Sequence, residues 1–530
     1  MKATYIPRIQ TNSFSEQQLF ISDDQNKIKE FIGIPFSKEA FPKQIELKSA
    51  NYKKENRKIL QSILNSSYQL LENNTKSIKN IEKLSESNCF TITTGHQLSL
   101  LTGPVYFIYK ILHVIKSCQV LNETYPDYHF VPIFWMASED HDFEEIKSVS
   151  LFGKTINWGT EQTGPVGRMN LSGLTETLEQ FKQFFSNHAE SELLELIGQL
   201  NGKTYGEAFF RFVHRIFADY GLVILDGDKK ELKEAFSTIL KKEVESQFSF
   251  NAVEATNDRL KQHNFKIQVN PREINLFYLS ENKRDRIIAD EDGFKIGTQK
   301  LTKEEIESLI DQNPQSFSPN VILRPLYQEF LLPNLCYVGG VGELSYWLQL
   351  KNVFDKAEIT YPLIQARTSA IWIDPVSSQK MEQYALSEVD LFKPISELKK
   401  QLIKEFENDN IDFSLIDFQF KQLKSDFENK AESIDNSLSS KVGAEFSRIE
   451  KQIDNLKAQL EKSIKNKHEK SLSGIEQLKN KLFPNQGLQE RIANFFQFCP
   501  DGKYKAILNQ LIDKIDPFNP DFLLIKKGSE

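Results

Sequence analysis

The chain has 530 residues, of which 39% are hydrophobic and 26% charged, with 40 phenylalanines and a formal net charge of -7. Such a length suits several domains with large cores and excludes wholesale disorder. The acidic balance argues against a dedicated nucleic-acid binder, because no general positive field faces the phosphates, although a small basic pocket is compatible with it. Cys89, Cys118, Cys336 and Cys499 form no C-x-x-C pair, so neither a disulfide framework nor a thiolate zinc knuckle is expected. The opening MKATYIPRIQTNSF lacks the apolar stretch of a signal peptide, and no apolar run approaches the roughly 20 residues of a membrane span. The expected location is the cytoplasm.

Up to about residue 85 the pattern reads as a sheet-edge or docking segment followed by helix, with Ile59, Ile63, Leu64, Leu70, Leu71 and Ile78 recurring at helical spacing. From NCFTITTGHQ onward the organisation changes. A short buried strand, Phe90 to Thr93, is expected to end in a turn and feed the apolar helix of LTGPVYFIYKILHVIKSCQVL, with Pro104 near its start. HFVPIFWMA supplies a second strand ending in SEDHDFEE, and GLVILDGD a third. Strand, loop, helix and strand in this order predict a parallel α/β layer whose strand-end loops collect at one ligand crevice. TTGHQ, ASEDHD and DGDKK are expected to meet there.

Residues 150–205 predict a mainly helical insertion. FKIQVN, NLFYLSE, KRDRIIAD and DGFKIG, separated by Asn, Asp and Gly turns, predict a small antiparallel one. The core resumes with a helix around Arg324 to Leu331, a strand through Leu335 to Val338, a helix from Glu343 and an extended stretch from Thr360 to Asp374. Residues 395–483 then contain no proline, and glycine only at 443 and 474. From Leu423 to Leu460 the apolar positions fall at intervals of three or four, the seam of a helical arm, with a possible turn in SLSSKVG. LFPNQGLQERIANFFQF predicts a turn and a returning helix, and DPFNPDFLLIK a last strand. The expected division is core 1–149, insertion 150–205, core 206–264, insertion 265–310, core 311–385, arm 386–485 and a returning segment 486–530.

Three strand-end clusters carry the candidate chemistry. Thr94, Gly95, His96 and Gln97 combine close backbone approach, a proton-transfer imidazole and an orienting amide, or else form a capped turn with a core histidine. Glu139, Asp140, His141 and Asp142 can bind Mg²⁺ or a substrate ammonium, or position a base, or else serve as the acidic first turn of a helix. Gly339, Gly340 and Gly342 suit a backbone cradle, with Glu343 as an amine partner or a first-turn acid; neither a P-loop nor the full G-x-G-x-x-G is present. Lys110, Arg324 and Arg367 are candidate anion partners or structural ion pairs. No Ser-His-Asp or Cys-His arrangement occurs, and no metal set is expected, since H-E-x-x-H and three separated ligands are missing.

TTGHQLSLLTGP, FWMASEDHDFEEI, YVGGVGELSYW and LFPNQGLQER, in this order over nearly the whole chain, resemble the bacillithiol-biosynthesis cysteine-adding enzyme family. The resemblance implies a Rossmann-like parallel-sheet core with connective insertions, an α-helical coiled-coil arm used in dimerisation, and addition of cysteine to the glucosamine amine of glucosaminyl-malate. On that implication His96 stabilises phosphate or transfers a proton, a carboxylate among Glu139, Asp140 and Asp142 holds the cysteine ammonium or takes a proton, and residues 339–342 hold the co-substrate. The core is also similar to class I aminoacyl-tRNA synthetases, but Thr93 stands where their H-x-G-H has its first histidine, and K-M-S-K-S is missing. The activating cofactor therefore stays open between ATP with Mg²⁺ and a preactivated donor. The alternatives are a nucleotidyltransferase-like enzyme acting on another small amine or carboxylate, a transferase using a preactivated donor, and a non-enzymatic coiled-coil scaffold.

Overall fold

The computed structural model describes residues 1–186, 191–291, 293–407 and 412–527. Residues 187–190 and 292 of the expected insertions, 408–411 of the expected arm and 528–530 of the returning segment lie outside the described residues. The chain forms two compact units, one of residues 1–372 with 487–525 and one built on 373–486.

The described strands of the first unit are, in chain order, β1 (Lys2–Ile6), β2 (Cys89–His96), β3 (His129–Met136), β4 (Ser148–Leu151), β5 (Lys154–Asn157), β6 (Val223–Asp226), β7 (Leu276–Ser280), β8 (Lys283–Asp290), β9 (Gly293–Ile296), β10 (Gln299–Leu301), β11 (Phe317–Pro319), β12 (Asn334–Gly339), β13 (Leu363–Ala366), β14 (Ala370–Ile373) and β15 (Phe522–Lys526). The central sheet has the order β13-β12-β2-β3-β6, and its neighbours are all parallel. Its strands are buried on both faces, the usual condition for a parallel sheet. The crossover helix Tyr106–Thr124 between β2 and β3 is apolar round most of its circumference, and 12 of its residues are buried.

β2 runs three residues further than the expected Phe90 to Thr93. Thr94, Gly95 and His96 pair in register with Phe134, Trp135 and Met136 of β3, so they belong to the strand and not to a turn. Nor does a helix start directly behind them: a single tight turn at Leu100–Thr102 intervenes before Tyr106. Gly103, at φ +60, closes that turn where an added Cβ would lie 2.7 Å from that of Ser99.

The segment around 265–310 forms the antiparallel sheet β10-β9-β8-β7-β11. FKIQVN, expected as a strand, is irregular. Its amides go to side chains instead of a ladder: Lys266 N to Gln17 Oε1 at 3.0 Å, and Gln268 N and Val269 N both to Gln349 Oε1 at 3.1 Å. β4 and β5 make a hairpin about Phe152 and Gly153, both at positive φ. β1 and β15, from the two ends of the chain, form a further sheet with β14.

LQERIANFFQF is not the expected helix. Two 3-10 turns, Gln489–Arg491 and Phe495–Phe498, replace it, because its polar groups serve other segments. Gln489 bonds Trp372 N and O at 2.8 and 3.0 Å, and Asn494 Nδ2 donates to Leu101 O and Gly103 O at 2.9 and 2.6 Å.

The second unit is helical. Ser414–Ile434 and Asn436–Leu482 lie antiparallel, with Phe446 packed on Phe420 and Phe427 and Lys457 paired to Asp417. The reversal sits at Asp435, whose extended backbone breaks the helix and whose carboxylate caps Ser437 N. SLSSKVG, where a turn was expected, is continuous helix. Along the seam only Ala431 and Phe446 are buried, while Leu423, Phe427, Leu456 and Leu460 remain at least half exposed at 50, 53, 59 and 50%. Among the described residues no helix is long and apolar enough to cross a membrane.

Candidate functional site

A cavity of about 1050 Å³ opens beyond the carboxyl ends of β2, β3 and β12, where the antiparallel insertion and the residues before the helix Leu323–Leu331 face them. Of the sequence-predicted residues, Gly95, His96, Gln97, Lys110, Glu139, Asp140, Arg324, Gly340, Gly342, Glu343 and Arg367 line it. Thr94, His141, Asp142 and Gly339 do not.

Those four have structural surroundings. Thr94 is buried and donates to Val338 O at 2.7 Å, tying β2 to β12. Asp142 caps Glu145 N at 3.3 Å at the start of the short helix Phe143–Ile146. His141 lies on the exposed side, 3.2 Å from Arg284 Nη1. Gly339 is pressed against Leu344, and its carbonyl accepts from Arg367 N at 2.8 Å.

Two strand-end loops are joined directly. Gln97 Nε2 donates to Asp140 Oδ2 at 2.7 Å and to Glu145 Oε2 at 2.8 Å. His96 Nδ1 lies 2.8 Å from Gln97 O and its Nε2 3.0 Å from Tyr106 Oη. A carbonyl oxygen only accepts, so Nδ1 carries the proton and Nε2 accepts from the tyrosine hydroxyl. Burial, with the Lys110 charge behind it, pushes the imidazole down to about 4, which keeps it neutral at physiological pH.

The acids differ in state. Burial acts to raise the Asp140 carboxyl, but hydrogen bonds from His141 and Gln97 and the nearby Arg284 charge hold it well below the usual range. Burial raises Glu139, and its partner Lys233 only partly offsets this. Lys233 is itself buried, donates to Phe317 O at 2.8 Å, and lies 3.5 Å from Asp228, which Arg168 grips with bonds of 2.7 and 2.8 Å. DGDKK thus meets ASEDHD through Asp226, bonded to Ser138, and through the Lys233 and Asp228 pairs.

At β12, Glu343 accepts from Lys110 at 2.7 Å and from the Tyr337 hydroxyl, and reaches back to Gly340 N at 3.4 Å. The Gly340 amide is therefore occupied from within. Lys110 also donates to Gly95 O at 2.6 Å. Arg367 is held by Glu490 in a buried two-pronged pair of 2.8 and 3.1 Å and lies over the Tyr106 ring at 4.9 Å. Arg324 differs: its guanidinium bonds neutral Gln328 at 3.2 Å, and no carboxylate among the described residues lies within ion-pair distance.

Tyr106, Lys233, Arg272, Arg284, Arg286 and Arg491 were not singled out in the sequence. The spacing of Arg284 and Arg286, two apart on an expected strand, was the one available signal, since it places both on one face. Arg272 sits in a polar loop without a pattern, Arg491 ends the LFPNQGLQER segment in a 3-10 turn, and Tyr106 lies inside an apolar helix.

Residues 1–368 match the family model described as bacillithiol biosynthesis BshC, N-terminal Rossmann-like domain, and residues 370–527 match the BshC C-terminal coiled-coil domain. A relative from Flavobacterium johnsoniae, described as "Putative cysteine ligase BshC", is 40% identical over 495 residues, 92% of each chain. Relatives with the same description from Flavobacterium psychrophilum and Christiangramia forsetii are 39 and 36% identical, over 97 and 98% of each chain. The chain belongs to the BshC family of bacillithiol biosynthesis.

Proposed function

We propose that this chain is a cysteine ligase that forms the amide bond between an activated cysteine carboxyl and the glucosamine amine of glucosaminyl-malate, the last step of bacillithiol synthesis. The observation that carries the reading is the Gln97 bridge to Asp140, which unites two polar strand-end loops in a cavity large enough for two small substrates. Asp140, held ionised, suits the cysteine ammonium. Glu139, raised by burial, suits acceptance of the proton that the acceptor ammonium loses before attack. Nitrogen then bonds the acyl carbon, and the activating group leaves with its electron pair. The nitrogen's second proton passes to the departing oxygen as the amide forms; the Tyr106 hydroxyl, whose own proton goes to His96 Nε2, offers its oxygen lone pairs to orient that transfer.

Purified protein supplied with glucosaminyl-malate and cysteine, with and without ATP and Mg²⁺, tests the reading by mass analysis of products. Nucleotide cleavage in step with amide formation assigns activation to this chain. Product from nucleotide-free protein and a preactivated donor assigns it elsewhere. Absence of amide with every donor rejects the ligase.

We also propose that the arm joins two copies of the chain into a homodimer in the cytoplasm. The half-exposed Leu423, Phe427, Leu456 and Leu460 support this, since a helical seam left open to water favours a second helix pair. Replacing Leu456 and Leu460 by asparagine should shift sedimentation toward monomer; an unchanged dimer would reject this interface.

A further inference from the structure

The cavity is lined by seven lysine and arginine side chains against four carboxylates, in a protein of net charge -7. Most of its charges are spoken for. Lys110 has Glu343, Arg367 has Glu490, and Arg284 lies 3.6 Å from Asp140. Arg272 and Arg286 are exposed, line the cavity, and have no acidic partner among the described residues; Arg324 makes no direct ion pair among them, although the Glu343 charge acts on it.

The supports of this wall are built. Arg286 lies two residues beyond Arg284 on β8 and so shares its face. Arg284 is fixed over the Phe277 ring at 4.2 Å and donates to Ser318 Oγ and Pro319 O, both at 3.1 Å. Asn275 accepts from Arg272 N at 3.0 Å and from Asn320 Nδ2 at 2.8 Å, and Arg324 N donates to Asn320 O at 2.8 Å. One pair of asparagines therefore sets both the Arg272 loop and the start of the Arg324 helix. Buried Glu243 anchors the pair from behind by accepting from Asn275 N at 3.0 Å.

A guanidinium held at a cavity wall without a carboxylate presents a planar fork of donors, the geometry that matches oxyanions two-pronged. We propose that Arg272, Arg286 and Arg324 form a subsite for a doubly charged oxyanion group of a substrate. The chemistry is shared by a dicarboxylate and by nucleotide phosphates. Resting on the function proposed above, the assigned group is the pair of carboxylates on the malate part of the acceptor.

Calorimetric titration of the full chain with glucosaminyl-malate, its dimethyl ester, ADP and adenosine tests the subsite. Wild type should prefer a charged ligand to its neutral counterpart. Arg272→Gln, Arg286→Gln and Arg324→Gln should each weaken that charged ligand about 10- to 100-fold, the scale of one charge-assisted contact, while leaving the neutral one within about twofold. Loss confined to the diacid assigns the carboxylates, and loss confined to ADP assigns phosphates and overturns the carboxylate assignment. Equal weakening of charged and neutral forms, no weakening, or no binding of either anion by wild type overturns the subsite. Arg272 and Arg286 are exposed, so their variants remain informative even where Arg324→Gln fails to fold. Turnover in which these variants keep KM within about twofold rejects the subsite and leaves the ligase standing. Arginine-dependent binding of the diacid without any turnover rejects the ligase and leaves the subsite.

Discussion

The two walls of the cavity treat charge differently. On the strand-end wall the charges of the β2, β3 and β13 ends and of the helices behind them have protein partners: Asp140 with Gln97, Lys110 with Glu343, Glu139 with Lys233, Arg367 with Glu490. On the insertion wall Arg272 and Arg286 project without one. Satisfied charges in a buried setting hold geometry, and removing one partner strands the other. Unsatisfied charges at a wet surface cost little to remove and matter only when something binds. The same residue type thus has two separable functions, as in Arg284, which faces Asp140, and Arg286, two residues on along β8.

The sharpest break of that contrast is Glu490→Gln, which leaves Arg367 buried without its counter-charge. It should cost about 3 to 5 kcal/mol in urea unfolding, as for other broken buried pairs; a loss below about 1 kcal/mol would show that the pair holds nothing. Next, Glu139→Gln should lower turnover about 100-fold or more, the usual contribution of a positioned base, while substrate binding changes far less. Wild-type turnover would remove Glu139 from the chemistry.

A pH measurement sharpens the contrast on the satisfied side. His113 is buried, with Nδ1 accepting from Thr368 N at 3.1 Å, and burial pushes it down to about 4. The unfolded chain takes up that proton below about 6.5 and the folded chain only below about 4, so stability falls as pH falls through this window. His113→Gln should flatten the decline by up to about 3 kcal/mol between pH 6.5 and 4. Parallel curves for the two proteins would contradict a neutral buried imidazole. On the unsatisfied side, Arg272→Gln should leave unfolding within about 0.5 kcal/mol of wild type. The smallest effect expected is none at all: all four thiols are buried, and burial raises Cys89 to about 12, so a thiol reagent should label them only after unfolding. Rapid labelling of the folded protein would show that a thiol reaches solvent.

The architecture was legible where one segment carries its own pattern. The apolar strands ending in TTGH and FWMA and the helix between them announce a parallel layer, and the three/four spacing after Leu423 announces a helix pair. Errors arose where distant side chains overrode local preference. FKIQVN alternates like a strand, but Gln349 takes its amides; the LQER segment looks helical, but Gln489 and Asn494 spend their bonds on other segments. The arm reversal leaves no pattern in the sequence, because one residue, Asp435, suffices for it in place of a glycine-bearing stretch. In the site, residues clustered in sequence were visible as candidates. Arg272, Arg286 and Tyr106 were not, since what distinguishes them is the side chains they face or lack, some of them more than two hundred residues away.

The Arg367 and Glu490 pair also bears on how the protein is made. Its two members are separated by 123 residues, among them the arm's helices. At about 5 to 20 residues per second of synthesis, the first waits roughly 6 to 25 s for the second to be added. During that interval all five strands of the parallel sheet exist, yet the guanidinium beside β13 has no counter-charge and β14 lacks the hydrogen bonds of Gln489. A nascent chain is therefore exposed to proteases and chaperones at this edge until Glu490 has emerged, and any truncation before residue 490 would leave it open permanently.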